Sequence, residues 1–271
     1  MVGGRQTNRR ATVFLGGGRI TGALIAGLRL IGDHRRIIIY DRNREKLRRL
    51  RNEAGVEAAM DLQSAVESAD TLVVAVRPGS VSELLAALAA AASLPRLCIS
   101  LAAGVPLRKL RTGLPQAHWV RAMPSPVCRI GRGLTALCFD PTVTAQERSR
   151  VRAFFGRVGQ VVEVSEDGFD VFTATYSSSH GYHALAALAE AAQQQGLDRK
   201  TALTAAAHAL ADGILYWREA GLSLDELLHE AATPGGIAAA TMHAMDQAGY
   251  PRAVSKGLKA GIAQARRNAK M

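Results

Sequence analysis

The pattern of hydrophobic and polar positions divides the chain into two halves with different periods. Over about the first 165 residues, short β-branched or apolar runs alternate with longer stretches of helical periodicity. Thr12–Leu15, Arg36–Asp41, Thr71–Val76, Arg96–Leu101, Trp119–Met123, Leu134–Phe139 and Gln160–Val164 are predicted as strands. Arg19–Leu30, Arg44–Asn52, Leu62–Ser68, Val81–Ala91 and Ala145–Val158 are predicted as the helices between them. Such alternation predicts βαβ units around a parallel sheet, an α/β architecture.

After Gly168 the pattern changes to Ala-rich amphipathic helices, with no convincing strand as far as Lys270. Their breaks fall at Gly196-Leu197-Asp198, Gly221, Pro234-Gly235-Gly236 and Gly249-Tyr250-Pro251. Asp198 and Ser223 have the look of N-caps, the second with Glu226 three residues on, which makes a capping box. The expected organisation is an α/β domain over residues 11–165 and an all-helical domain over 166–271. Helices this rich in Ala pack on one another, and commonly across a dimer.

Composition narrows the possibilities. No apolar run approaches the roughly 20 residues of a membrane helix; the longest, around Leu84–Leu94, is Ala-rich and too short. Met1–Arg10 is polar and basic, and Val13-Phe14-Leu15 is too brief for a signal peptide, so a cytoplasmic protein with no membrane partner is expected. The net charge of +11 is uneven: residues 1–160 carry 25 basic and 11 acidic side chains, the remainder 9 and 12. Arg42, Arg44, Lys46, Arg48, Arg49 and Arg51 fall at helix-face spacing and read mainly as a solvated face, with a secondary role in attracting an anionic cofactor or substrate. Aromatics make up only 5% of the chain and do not interleave with basic runs, which argues against a nucleic-acid surface. Cys98, Cys128 and Cys138 form neither a CxxC pair nor a disulfide framework.

Chemistry enters with Leu15-Gly16-Gly17-Gly18-Arg19-Ile20-Thr21-Gly22, which leaves a predicted strand and opens a predicted helix. Gly16 permits a tight turn, Gly18 removes a Cβ that would block a pyrophosphate, and the helix then aims its free N–H groups at the phosphates. The third glycine position holds Thr21, so the fingerprint is imperfect. Asp41, at the end of the second strand, can accept the ribose 2′-OH of NADH; Arg42 and Arg44 can instead hold the 2′-phosphate of NADPH with Asp41 turned away. Ala75-Val76-Arg77-Pro78 ends a further strand at the carboxyl edge of the sheet, where ligands of such sheets lie.

Taken together, the Phe14–Ile20 loop, Ala75-Val76-Arg77-Pro78, Ile99–Val105, Val120-Arg121-Ala122-Met123-Pro124 and Thr233-Pro234-Gly235-Gly236 resemble the pyrroline-5-carboxylate reductase family in order and spacing. The first two segments are shared with other Rossmann reductases; the RAMP strand and the PGG helix start are more specific. The resemblance covers nearly the whole chain from about residue 11. It implies a Rossmann-type dinucleotide-binding domain followed by a helical dimerisation domain. It also implies hydride transfer from NADH or NADPH to a cyclic imine, 1-pyrroline-5-carboxylate, to give L-proline, and a homodimer that in the family often extends to a ring of dimers. A related reductase of a different imine in a specialised pathway, and a catalytically silent dimeric homologue with a regulatory role, are the alternatives. Leu15, Gly16, Gly17, Gly18, Arg19 and Ile20, with Ala75–Pro78, then hold the dinucleotide, while the segment from Thr233 and the start of the first long C-terminal helix hold substrate.

This chain departs from the family in the substrate segments. Met123-Pro124-Ser125-Pro126-Val127 stands where the family usually reads Met-Pro-Asn-Thr-Pro. Ala174–His180 aligns with Ser-Gly-Ser-Gly-Pro-Ala-Tyr, and Ile237-Ala238 replaces two threonines after Pro-Gly-Gly. Ser125, Gly235, Gly236 and Ile237 remain the expected substrate contacts, because backbone N–H groups at Gly235-Gly236-Ile237 can still hold a carboxylate. Thr233, Thr241, the Ser177–Ser179 run with Ser178 at its centre, and His180 are the candidates to replace the lost hydroxyls near the ring nitrogen. His180 and His183 share a helix face, but no further ligand follows at metal spacing, so no metal is expected.

Overall fold

The structure is a computed structural model that describes residues 11–270. Met1–Arg10, read above as a polar basic lead, and Met271 lie outside the described residues. The elements run β1 (Ala11–Leu15), α1 (Arg19–Leu30), β2 (Ile37–Tyr40), α2 (Arg44–Ala54), β3 (Glu57–Ala58), α3 (Leu62–Glu67), β4 (Ala69–Val74), α4 (Val81–Ala89) and β5 (Leu97–Ser100). They continue through α5 (Leu107–Gly113), β6 (His118–Met123), β7 (Gly133–Phe139), α6 (Ala145–Gly156) and β8 (Gly159–Glu163). The rest is helical: α7 (Glu166–Thr175), α8 (Ser179–Gln194), α9 (Arg199–Ala220), α10 (Leu224–Ala231), α11 (Ile237–Gln247) and α12 (Tyr250–Asn268).

The eight strands form one sheet in the order β3-β2-β1-β4-β5-β6-β7-β8. Its central strands are buried on both faces, which is why they read as continuous apolar runs. Phe14, Ile37, Ile39, Val73 and Ile99 face one layer with Leu24 and Leu28 of α1 and Phe154 and Phe155 of α6. Val13, Leu15, Leu72, Val74 and Trp119 face the other with Leu85 and Leu88 of α4 and Leu110 of α5. The chain leaves β1 toward β2 on one side and returns to β4 on the other. A crevice opens at such a reversal, beyond the carboxyl ends of the strands.

One expectation about the sheet is corrected. It is not wholly parallel: β7 runs antiparallel to β6, pairing Met123 with Ala136 and Val120 with Phe139. The link between them is only residues 124–132, built around a 3₁₀ turn at Pro126–Ile130. A parallel return needs a crossover of a dozen or more residues, so a link this short reverses the strand. The helix α6 supplies such a crossover next, and β8 is parallel to β7 again. Two short elements escape the sequence reading: β3 is two residues without a β-branched side chain, and α5 has seven residues with only Leu107 and Leu110 buried.

By compactness the chain forms two units. One contains the described chain up to Tyr176 and again from Ala260; the other is Ser177–Lys259. Compactness and element type thus divide the chain at different places, since α7 belongs with the sheet unit. The link runs through Arg121 on β6, only 3% exposed. Its guanidinium lies 3.0 Å from Glu166 and 2.9 Å from Asp170, and it stacks 4.3 Å above the Phe169 ring. The second unit contains α8 to α11 with the first part of α12. Asp198 caps α9, and the Ser223–Glu226 capping box opens α10 as expected.

Candidate active site

The turn after β1 is fixed from every side. Gly16 has φ +116°, and a Cβ there would sit 2.6 Å from the carbonyl oxygen of Ala75, so no other residue fits without moving the end of β4. Its amide donates to Tyr40 O at 2.8 Å and its carbonyl accepts the buried Thr21 hydroxyl at 2.7 Å. Thr21, the irregular residue of the fingerprint, is therefore a brace of the loop. At Gly18 the situation is opposite: a Cβ would meet nothing within 4 Å, and the backbone is in an ordinary extended conformation. Open space at that point is what a phosphate cradle requires. The amides that begin the 12-residue α1 have no carbonyl of their own helix to bind and head this space.

Asp41 is turned toward the loop. One oxygen accepts the Gly17 amide at 2.7 Å and the other the Asn43 amide at 2.8 Å, and its side chain is only 13% exposed. Turning Asp41 away to admit a 2′-phosphate would break both of these bonds. Lys46 Nζ lies 3.6 Å from the Asp41 carboxylate, and Arg42 pairs with Glu83 of α4 at 3.3 Å. Arg44, the other candidate phosphate ligand, begins α2 and does not line the cleft.

The cleft at this crevice measures 430 Å³, within the range of small-molecule sites. Of the expected cofactor residues it is lined by Leu15, Gly16, Gly18, Asp41, Arg42, Ala75, Val76 and Arg77. Gly17, Arg19, Ile20 and Pro78 do not line it: Gly17 faces Asp41, Ile20 packs on the core, and Pro78 starts a 3₁₀ turn. Glu83 and Leu84 of α4 also line it and were missed, as were Tyr40, Leu62, Ser80 and Ala87; Lys46, read only as part of a basic helix face, lines it too. Lys46 and Glu83 lie in the first turns of α2 and α4 at charged positions that read as solvated, whereas Leu84 reads as a core residue and does pack on the core.

The candidate substrate residues divide between the two units. Ser125 is buried in the sheet unit, where its hydroxyl meets the Tyr176 hydroxyl at 3.0 Å and accepts the Val127 amide at 3.3 Å. Tyr176 also accepts the Leu134 amide at 2.8 Å. Ser125 and Tyr176 thus tie β6, β7 and the end of α7 together, a pairing 51 residues apart that no local pattern announces.

In the helical unit, Thr233-Pro234-Gly235-Gly236 folds as a tight turn closed by the Gly236 amide on the Thr233 carbonyl at 2.9 Å. Gly235 has φ +77°, as the third position of a type II turn demands. The Gly236 amide closes the turn, whereas the Gly235 amide and the first amides of α11, from Ile237 on, have no backbone acceptor among the described residues. The Ile237 side chain is 89% exposed. The Thr233 hydroxyl donates to Glu230 O at 3.1 Å and that of Thr241 to Ile237 O at 2.9 Å, so both protons are engaged while their lone pairs remain. Ser177 and Ser179 share a 2.7 Å hydrogen bond, and Ser178 and His180 stand exposed at the start of α8.

Two family models match the chain. One, described as NADP oxidoreductase coenzyme F420-dependent, covers residues 12–104; the other, described as pyrroline-5-carboxylate reductase dimerisation, covers 166–268. The pyrroline-5-carboxylate reductase of Mycobacterium tuberculosis is 30% identical over 274 residues, spanning 91% of this chain and 92% of that protein. The chain belongs to the pyrroline-5-carboxylate reductase family. The enzyme of the same name from Synechocystis is 29% identical over 91% of this chain and 94% of its own. Among solved structures, the pyrroline-5-carboxylate reductase of Coxiella burnetii superposes with a TM-score of 0.85 at 26% identity, over 97% of this chain and 99% of its own. That of Plasmodium falciparum, solved with NADP bound, shares the fold with a TM-score of 0.84 at 18% identity, over 97% of this chain and 99% of its own. Membership makes the protein an oxidoreductase with a Rossmann-type half and a helical dimerisation half. Among the described residues, no helix is long and apolar enough to cross a membrane.

Proposed function

We propose that the protein is an NAD(P)H-dependent reductase that converts 1-pyrroline-5-carboxylate to L-proline in the cytoplasm and acts as a homodimer. Residues 11–165 hold the nucleotide, and 166–271 hold the substrate and the partner. The observation that carries this reading is the family correspondence along the whole chain, joined to a loop whose Gly18 leaves open the space a pyrophosphate needs.

Bound reduced nicotinamide supplies the hydride for the imine carbon. The protein's own residues hold and align. The first amides of α11, from Ile237 on, take the substrate carboxylate, an arrangement favoured by the positive end of an 11-residue helix. With its proton committed to the Glu230 carbonyl, Thr233 offers lone pairs to the N–H of the protonated imine; Ser178 and His180 are the other candidates, as acceptors of that N–H or as the group that first protonates the ring nitrogen. A protonated imine needs little beyond alignment and exclusion of water to accept a hydride, so the absence of hydroxyls at Ile237 and Ala238 is compatible with turnover.

Dimerisation rests on the helical unit. Of its residues only Ala189, Ala202 and Ala206 are buried, too little for a core. On α9, Ile214, Leu215, Tyr216 and Trp217 occupy consecutive positions, point to all sides, and are exposed. A helical turn that is apolar all round needs cover beyond what its own unit supplies, and a second copy provides it. The family's larger rings extend the same reading.

The decisive experiment follows NADH and NADPH oxidation with pyrroline-5-carboxylate, with proline measured as product and the oligomer sized by sedimentation. A kcat/KM of about 10⁴ M⁻¹s⁻¹ or above in a dimer supports the reading. Nucleotide binding without proline formation sinks it and favours a different imine. A monomer sinks the dimer.

A further inference from the structure

The cleft beside the glycine loop carries a charge arrangement with a consequence for the nucleotide. We infer that Asp41, held in place by the loop it braces, selects NADH over NADPH, with Glu83 reinforcing the choice. The inference rests on the proposed nucleotide reading of the loop and deepens it.

The argument starts from the two carboxylate oxygens. Oδ2 accepts the Gly17 amide at 2.7 Å and Oδ1 the Asn43 amide at 2.8 Å. Rotating the side chain away would break both bonds, one of them within the phosphate loop itself. Asp41 is therefore a fixed negative charge at the strand end where the adenosine ribose lies in such folds. Each oxygen retains a lone pair, so a 2′-hydroxyl can donate to it. A 2′-phosphate, with a charge of −1.5 to −2 in the manner of other phosphate monoesters, can only be repelled by it.

Neighbouring cations could compensate, but two of the three that line the cleft already have carboxylate partners. Lys46 lies 3.6 Å from Asp41, and Arg42 3.3 Å from Glu83. Arg77 has no carboxylate partner among the described residues. It stands two residues after Ala75, whose carbonyl abuts Gly16, and so belongs to the pyrophosphate side of the cleft. The basic sequence around Arg42 and Arg44 thus overstates the positive charge available to a 2′-phosphate. The Arg42–Glu83 pair is exposed, so it accounts for a small part of the selectivity and Asp41 for most of it.

The test measures dissociation constants of NADH and NADPH, and of NAD⁺ and NADP⁺, by calorimetry on the full chain without substrate. NADH is expected to bind at least tenfold more tightly than NADPH. Asp41→Asn keeps an acceptor for the Gly17 amide and is expected to shrink the ratio at least fivefold by tightening NADPH. Glu83→Gln leaves the Asp41 bonds intact, releases Arg42, and is expected to tighten NADPH two- to threefold. If Asp41→Asn does not fold, the wild-type ratio and Glu83→Gln decide. NADPH binding as tightly as NADH in the wild type, or a ratio unmoved by these substitutions, overturns the inference and leaves the nucleotide reading standing. Binding of neither nucleotide overturns both.

Discussion

Gly16 and Gly18 stand two residues apart in one loop, yet the structure assigns them different reasons for being glycine, and alanine substitution separates the two. At Gly16 the backbone has φ +116°, a conformation that costs a residue with a Cβ about 1–3 kcal/mol. The added carbon would lie 2.6 Å from the Ala75 carbonyl oxygen and 2.8 Å from its carbon, so β4 must also shift, at a further cost of about 1–3 kcal/mol. Stiffening of the unfolded chain returns about 0.4–1 kcal/mol. The net loss is about 2–4 kcal/mol, or roughly 5–15 °C in the midpoint of a unit of this size. At Gly18 nothing lies within 4 Å and φ is −74°. A small N-cap penalty and the unfolded-state gain nearly cancel, and the midpoint should move by less than the equivalent of about 1 kcal/mol. The new methyl does, however, occupy the phosphate space, so Gly18→Ala should weaken nucleotide binding at least tenfold, about 1.4 kcal/mol. Thermal unfolding by circular dichroism without nucleotide, paired with calorimetric titration of NADH, reads both quantities. Equal midpoints for the two variants, or wild-type binding by Gly18→Ala, would refute the division of labour.

Three further outcomes follow from the sheet unit. Tyr176→Phe removes the acceptor of the Leu134 amide and the partner of Ser125, and should cost about 1–2 kcal/mol in denaturant unfolding; no measurable loss would mean that water replaces the hydroxyl freely. Burial pushes the thiols of Cys98 and Cys138 up to about 12 and that of Cys128 up to about 11. All three should therefore ignore a disulfide reagent at pH 8 until denaturant is added, and rapid labelling of the native protein contradicts the packing described. Burial alone would raise the carboxyl of Asp33, but hydrogen bonds from Arg35 and the charges of Arg35 and Arg157 outweigh it and hold it below its ordinary 3.8. A carboxyl lowered by folding stabilises above its unfolded value and loses that contribution as pH falls through the folded one. The stability gap between wild type and Asp33→Asn should thus be full above about pH 4 and close below it; a gap independent of pH would show that Asp33 acts through packing.

How far these features were legible in the sequence depends on how local their causes are. Ile37-Ile38-Ile39 and Leu72-Val73-Val74 read as strands because both faces of a central strand are buried, so nothing interrupts the apolar run. The direction of β7 was not legible from its own residues, because the shortness of the link over residues 124–132 decides it. Gly16, Gly18 and Asp41 could be picked out because a strand, a turn and a helix start occupy a few consecutive residues. What Asp41 does there could not: its commitment to Gly17 spans 24 positions, and the partner of Arg42 lies on α4, 41 positions away. Read alone, Arg42 and Arg44 leave the cofactor open; that Arg42 pairs with Glu83 and Asp41 with the Gly17 and Asn43 amides is seen only in the folded chain.

The helical half is harder to read for a different reason. Its capping residues, Asp198 and Ser223, fix where helices begin, and those were plain. Its helices read as amphipathic, but one turn of α9, Ile214-Leu215-Tyr216-Trp217, is apolar and exposed on all sides. An amphipathic pattern records one boundary between protein and water. A turn that is apolar on all sides follows no such boundary, so its pattern does not point to one buried face within the chain. The same holds for the substrate residues it carries. Thr233, Ser178 and His180 were chosen for their chemistry, and what they face is set by contacts that are not written into any one stretch of the chain.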